Sequence, residues 1–246
     1  MNLLDPREPV STWSHALWLI IALAGMIMLW RRGRGDRAKQ VSLLIYALCL
    51  ILCSASSTLY HGVRLSNEKI EIIALMDHIA IYMLIAGTYT PIAWAFLRGH
   101  WRRGVLGLVW FWAILGITMH LRFESVPALL STGLYLGMGW GAIFCYFEVA
   151  RLLSHRALLP VLAGGVLYSL GAVINLLHEP VLWRGVFEAH ELFHLFVVAG
   201  SLCHLYFILT VVGPYSMDYE CNTVLADPPV LQTRFTARPA SGQVAS

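Results

Sequence analysis

The sequence predicts an all-α integral membrane protein, a bundle of seven transmembrane helices. Three observations predict it. The 246 residues are 58% apolar, with a mean hydropathy of +0.68. Asp, Glu, Lys and Arg supply 13% of the chain, against roughly 25% in soluble domains, which is too little charge to cover a soluble surface. The apolar residues also gather into seven runs near the length of about 20 residues that a spanning helix needs.

The runs are Trp13–Trp30, Val41–Tyr60, Ile70–Leu97, Val105–Leu121, Val126–Val149, Leu158–Leu177 and Val186–Val212. Short polar stretches separate them, so consecutive helices are expected to be antiparallel neighbours. Helices are favoured because lipid leaves an open strand edge unsatisfied. Trp13, Trp30, Trp94, Trp101 and Trp183 fall near run ends, as interfacial tryptophans do. Pro91 is expected to kink or end the third helix. Residues 1–212 thus form a seven-helix domain, and 213–246 form a polar, disordered tail. The five cysteines are odd in number and four lie in apolar runs, so no disulfide framework is implied.

Charge sets orientation and excludes one partner. The first, third and fifth loops and the tail hold 12 of the 17 Lys and Arg residues. The positive-inside rule then places the N-terminus outside. No basic block carries interleaved aromatics, so nucleic acid is not an expected partner. Membrane lipids are.

Ionisable groups within spans are expensive and usually functional. The second run ends on Ser54, Ser57 and His61; the third carries Asp77 and His78; the seventh begins with Glu188, His190, Glu191 and His194. His190 and His194 are four apart and share a helix face, as do Ser57 and His61. Parity adds a constraint. With seven spans, the second ends at the membrane face where the third and seventh begin, so His61, Asp77, His190 and His194 share one leaflet.

Three imidazoles and a carboxylate at one depth point to a metal. Imidazole suits zinc, and three protein ligands leave a fourth position open. Such a site makes a water-derived nucleophile available near neutral pH. Asp77 then serves as general base or offsets the ion's charge, and Ser57 or Ser54 donates a hydrogen bond to a polarised carbonyl. Plainer alternatives stand beside this: His61 as an interfacial histidine, and Asp77 paired with a neighbouring histidine or a helix backbone. The run from His190 to His194 also matches the H-E-x-x-H of zinc proteases. No aspartate lies in a later span to complete an intramembrane protease site. His204 is 14 residues beyond His190, about 21 Å along a helix, and is expected to be a buried hydrogen-bonding residue. His15, His78 and His120 are read as structural, since no spacing ties them to the cluster.

Three segments, SSTLYH (56–61), MDHIAIYMLIAGTYTP (76–91) and HELFHLFVVAGSLCH (190–204), resemble the haemolysin-III family of the progestin and adiponectin receptor superfamily. The resemblance spans about residues 8–212. It implies zinc held by His61, His190 and His194, with Asp77 near the metal's water and Ser57 beside it. It extends to alkaline ceramidases, which implies hydrolysis of a lipid amide. It also implies a cytoplasmic zinc site, as in the adiponectin receptors, opposite to the charge count. Three functions are therefore expected in order: a zinc-dependent lipid-amide hydrolase with Asp77 and Ser57 catalytic, a receptor or sensor with structural zinc, and a cytolytic membrane-permeabilising protein.

Overall fold

A computed structural model describes residues 6–123 and 125–215. The helices are α1 (Pro9–Arg32), α2 (Arg37–Gly62), α3 (Asn67–Phe96), α4 (Gly99–Arg122), α5 (Ala128–Trp140), α6 (Ile143–Ala150), α7 (His155–Leu177) and α8 (Ala189–Phe207). No strand occurs among the described residues. Seven segments are long and apolar enough to cross a membrane, with α5 and α6 together making the fifth.

Helix starts follow local chemistry. Asp36 and Ser154 accept from the backbone N–H groups of Lys39 and Ala157, satisfying donors left open at the first turns of α2 and α7. Glu188 and Glu191 form a reciprocal capping box at the start of α8. Three expectations change here. The seventh span starts at Ala189 rather than Val186, because Trp183 and Phe187 pair in a tight turn before it. The fifth span is broken near Gly141, where small residues let the helix slip into a turn. Pro91 does not end α3, which runs on to Phe96.

The helices bury small, polar and some large apolar residues inward and leave many other large apolar side chains on the outside. On α1 the inward stripe is Ser11, His15, Trp18, Ala22, Gly25 and Leu29, at alternating four- and three-residue steps. Leu17, Ile20 and Ile27 face outward. Lipid tails are as apolar as these side chains, so close packing and polar contacts hold the bundle instead. Helix α2 packs between α1 and α3, α4 against α3, and α8 against both α7 and α1. Gly164 shows how tight this is: a Cβ there would sit 2.3 Å from the His204 ring.

Beyond α8 the helix widens into a π turn over Ile208–Val212. Arg32 Nη1 donates to the Leu209 carbonyl at 2.6 Å, and Lys39 Nζ donates to that of Tyr215 at 2.6 Å. Tyr215 packs on Phe96. Tyr215 is thus held against the helical bundle. The chain divides after Tyr215, and the remainder of the expected tail lies outside the described residues.

Candidate metal centre

His61 sits in the last turn of α2, and His190 and His194 in the first turns of α8. The α1–α8 and α1–α2 contacts bring these ends together. The ring centroids of His61 and His194 are 4.4 Å apart, those of His190 and His194 4.5 Å, and those of His61 and His190 5.4 Å. One ring nitrogen from each lies within 4.8 Å of the other two. His61 and His194 are buried and His190 is partly so.

Which nitrogens face the common centre follows from what holds the others. His61 Nδ1 donates to Glu8 Oε2 at 2.5 Å. His190 Nδ1 donates to Asn175 Oδ1 at 3.0 Å. His194 Nδ1 is 2.8 Å from His15 Nε2. All three Nδ1 atoms are thus engaged. The Nε2 atoms of His190 and His194 are 3.1 Å apart. His61 Nε2 is buried with no hydrogen-bond partner among the described residues. Zinc–nitrogen bonds of about 2.0–2.1 Å in a tetrahedral site space two nitrogens by about 3.3 Å. A buried, unpartnered lone pair beside such a pair is what a metal's donor set requires, and the residues fit a metal ion.

The N-terminal arm closes this end. The Glu8 and Arg7 N–H groups donate to the His61 and Gly62 carbonyls at 3.0 and 3.4 Å, satisfying the open end of α2. Arg7 lies 4.7 Å over the Tyr60 ring and 3.1 Å from Glu8. Burial alone would raise the Glu8 carboxyl. The hydrogen bond and charge of His61, with Arg7 and His190, hold it below the usual carboxylate range. Glu8 is therefore an anion at neutral pH and fixes His61 as an Nδ1–H donor.

Asp77 is buried on α3, and Ser56 Oγ donates to its Oδ1 at 3.1 Å. Ser57 is buried beside it. Ser54 turns back to its own helix, donating to the Leu50 carbonyl at 2.9 Å. Asp77, Ser57, His15 and the three histidines line one cavity of about 610 Å³. It continues past apolar walls to Leu97, Val149 and Leu158, near the opposite end of the bundle.

The sequence-predicted residues His61, His190 and His194 come together, and Asp77 and Ser57 share their cavity. Glu191 does not face the cluster as a base; its Oε2 accepts from Glu188 N at 2.9 Å within the capping box. His204 Nδ1 donates to the Gly200 carbonyl at 2.8 Å, away from the centre. Glu8, His15, Asn175 and Ser56 were not expected. Parity held the missing signal. The first span starts and the sixth ends on the same membrane face as the cluster, so polar residues there were candidates for its outer contacts.

The fold and site define a class: multi-pass membrane proteins with three histidines gathered at one end of a seven-helix bundle. The Haemolysin-III related family model matches residues 5–205, and the chain belongs to that family. It is 32% identical over 211 residues to Hemolysin-3 of Bacillus cereus, covering 85% of this chain and 93% of that one. It is 31% identical over 205 residues to the Hemolysin-3 homolog of Bacillus subtilis, covering 82% and 93%. A more distant likeness, 25% over 240 residues, joins it to the Adiponectin receptor protein of Drosophila melanogaster, covering 90% of this chain and 54% of the receptor.

Proposed function

We propose that this protein is a zinc-dependent hydrolase of the membrane that cleaves the amide bond of a lipid. The observation that carries the reading is the buried, unpartnered His61 Nε2 beside His190 and His194, in one cavity with Asp77. His61, His190 and His194 would hold the ion. When bound, zinc supplies Lewis acidity and a nucleophile at neutral pH. The long apolar cavity suits an acyl chain, with the polar end of the lipid at the histidines.

The chain's own groups perform the rest. Asp77, braced by Ser56, takes the proton of the attacking water as the new C–O bond forms. It returns that proton to the amine nitrogen as the C–N bond breaks, so the products are a carboxylic acid and an amine. Ser57 donates to the carbonyl oxygen as charge develops there. The apolar walls exclude bulk water and strengthen both interactions.

The test combines metal analysis with lipid turnover. Purified wild type is expected to carry one equivalent of zinc, and His190→Ala/His194→Ala none. Asp77→Asn should keep zinc and lose at least a hundredfold in turnover of fluorescent N-acyl lipids, within the range for a removed general base. A folded double histidine variant that keeps its zinc overturns the site. Full turnover in Asp77→Asn overturns the mechanism and favours a receptor with structural zinc, a reading supported by the way the cluster ties α2 to α8.

A further inference from the structure

A second polar cluster lies across α3 from the metal centre. His78 follows Asp77 in sequence, so its side chain is turned about 100° around the helix, toward α4. There its ring meets His120 at 5.1 Å. Tyr82, one turn further along α3, lies 5.8 Å from His120 and 4.4 Å from Tyr135 of α5. His78, His120 and Tyr135 line the same cavity as the metal centre, near the same end of the bundle. Tyr82 stands behind them, fully buried. Its ring is seated where Gly116 leaves room: a Cβ at 116 would be 2.2 Å from it.

The hydrogen bonding of this cluster is incomplete. His120 Nε2 is buried without a hydrogen-bond partner among the described residues, and there the buried Tyr82 and Tyr135 hydroxyls have none but each other. His78 Nδ1 donates to the Ala74 carbonyl at 2.7 Å, which leaves its Nε2 as an acceptor. Buried polar groups in native proteins are satisfied with few exceptions, and each exception needs a reason. In a bilayer no water stands in for a missing partner. The cluster itself holds no Lys or Arg to select an anionic headgroup, and the carboxylate beside it, Asp77, is already bonded by Ser56. Phenol donors beside imidazole acceptors match a group that both accepts and donates, which is a hydroxyl.

We propose that His78, His120 and Tyr135, backed by Tyr82, form a subsite for the uncharged, hydroxyl-bearing headgroup of a lipid whose chain occupies the cavity. The assignment rests on the cavity and its unpaired groups, and does not require hydrolysis. The probe is an ether-linked alkylglycerol, which no hydrolase acting on amides cleaves, compared with the same molecule methylated at both hydroxyls.

Binding of each probe to zinc-loaded full-length protein in nanodiscs is measured by titration with native mass spectrometry. Wild type should prefer the free hydroxyls about tenfold, as expected for two neutral hydrogen bonds. His120→Phe/Tyr135→Phe should bring the two probes within twofold while zinc content is unchanged. Should the double variant misfold, Tyr135→Phe alone should lose about threefold. Equal binding of both probes to wild type overturns the proposal. So does a preference that survives the variants, or stronger binding of an anionic alkyl phosphate.

Discussion

Removing the Glu8 carboxylate tests whether the N-terminal arm belongs to the metal centre. Glu8 accepts the His61 Nδ1–H at 2.5 Å and so leaves Nε2 as the free lone pair. Glu8→Ala leaves a buried N–H without its acceptor, a cost of about 1–3 kcal/mol. The Glu8 side chain is 30% exposed. Water can therefore replace part of what is lost, which puts the effect toward the lower half of that range. The expected loss in zinc affinity is about tenfold, within the 10- to 100-fold usual for outer partners of a metal-bound histidine. Glu8→Gln keeps an acceptor oxygen but loses the charge, so it should fall between wild type and Glu8→Ala. The assay is zinc competition against a chromophoric chelator in detergent, with Glu68→Gln as a control on an exposed residue of the same face. Unchanged affinity in Glu8→Ala would show that the carboxylate does not set the ring's tautomer, and that the arm only caps α2.

His15→Phe keeps a ring on α1 but removes the partner of His194 Nδ1, and is expected to weaken zinc about tenfold in the same chelator assay. Gly164→Ala places a methyl 2.3 Å from the His204 ring, and should lower the melting point by an amount equivalent to about 1–3 kcal/mol. Gly104→Ala, with open space around it, should leave the melting point unchanged or raise it. For topology, Ser66→Cys and Arg34→Cys are labelled in intact cells with an impermeant maleimide. The charge count expects labelling at 66 and not at 34, and the reverse pattern would place the histidine cluster on the cytoplasmic side.

The span count and the meeting of His61, His190 and His194 were legible because both depend on coarse properties. Hydropathy over 20 residues survives errors of a few residues at each boundary. Helical spacing and parity need only the right number of crossings. What escaped depends on local detail. The break near Gly141 leaves hydropathy almost unchanged, so the fifth run reads as continuous. Glu191 looked like part of a protease motif because spacing alone does not show that its oxygen is already used by the Glu188 N–H. Ser56 and Ser57 are adjacent, and only the roll of α2 against α3 decides that Ser56 joins Ser57 in bonding Asp77. His15, set aside for lack of a spacing partner, contacts a residue 179 positions away. No periodicity can report such a pair.

The outer contacts of the cluster come from three helices or their ends: Glu8 before α1, His15 on α1, Asn175 on α7, and the backbone of α2 beneath the arm. Glu8, His15 and Asn175 each hold one ring, so the three Nε2 positions are not independent of how the bundle packs. A carboxylate and an amide fix two of the rings with acceptors that do not depend on a tautomer choice. The third is held by another imidazole, whose own Nδ1 is buried without a partner. That makes the His15–His194 pair the least constrained of the three contacts. If His194 Nδ1 donates, His15 must carry its proton on the unpartnered Nδ1; if His15 Nε2 donates, His194 Nε2 bears the proton and loses its lone pair. A bound metal selects the first arrangement. Zinc loading should therefore shift the ¹⁵N resonances of His15 as well as those of the three ligands, and in a His194→Ala variant the His15 shift should disappear. A His15 spectrum indifferent to zinc in the wild type would show that the imidazole pair is packing alone.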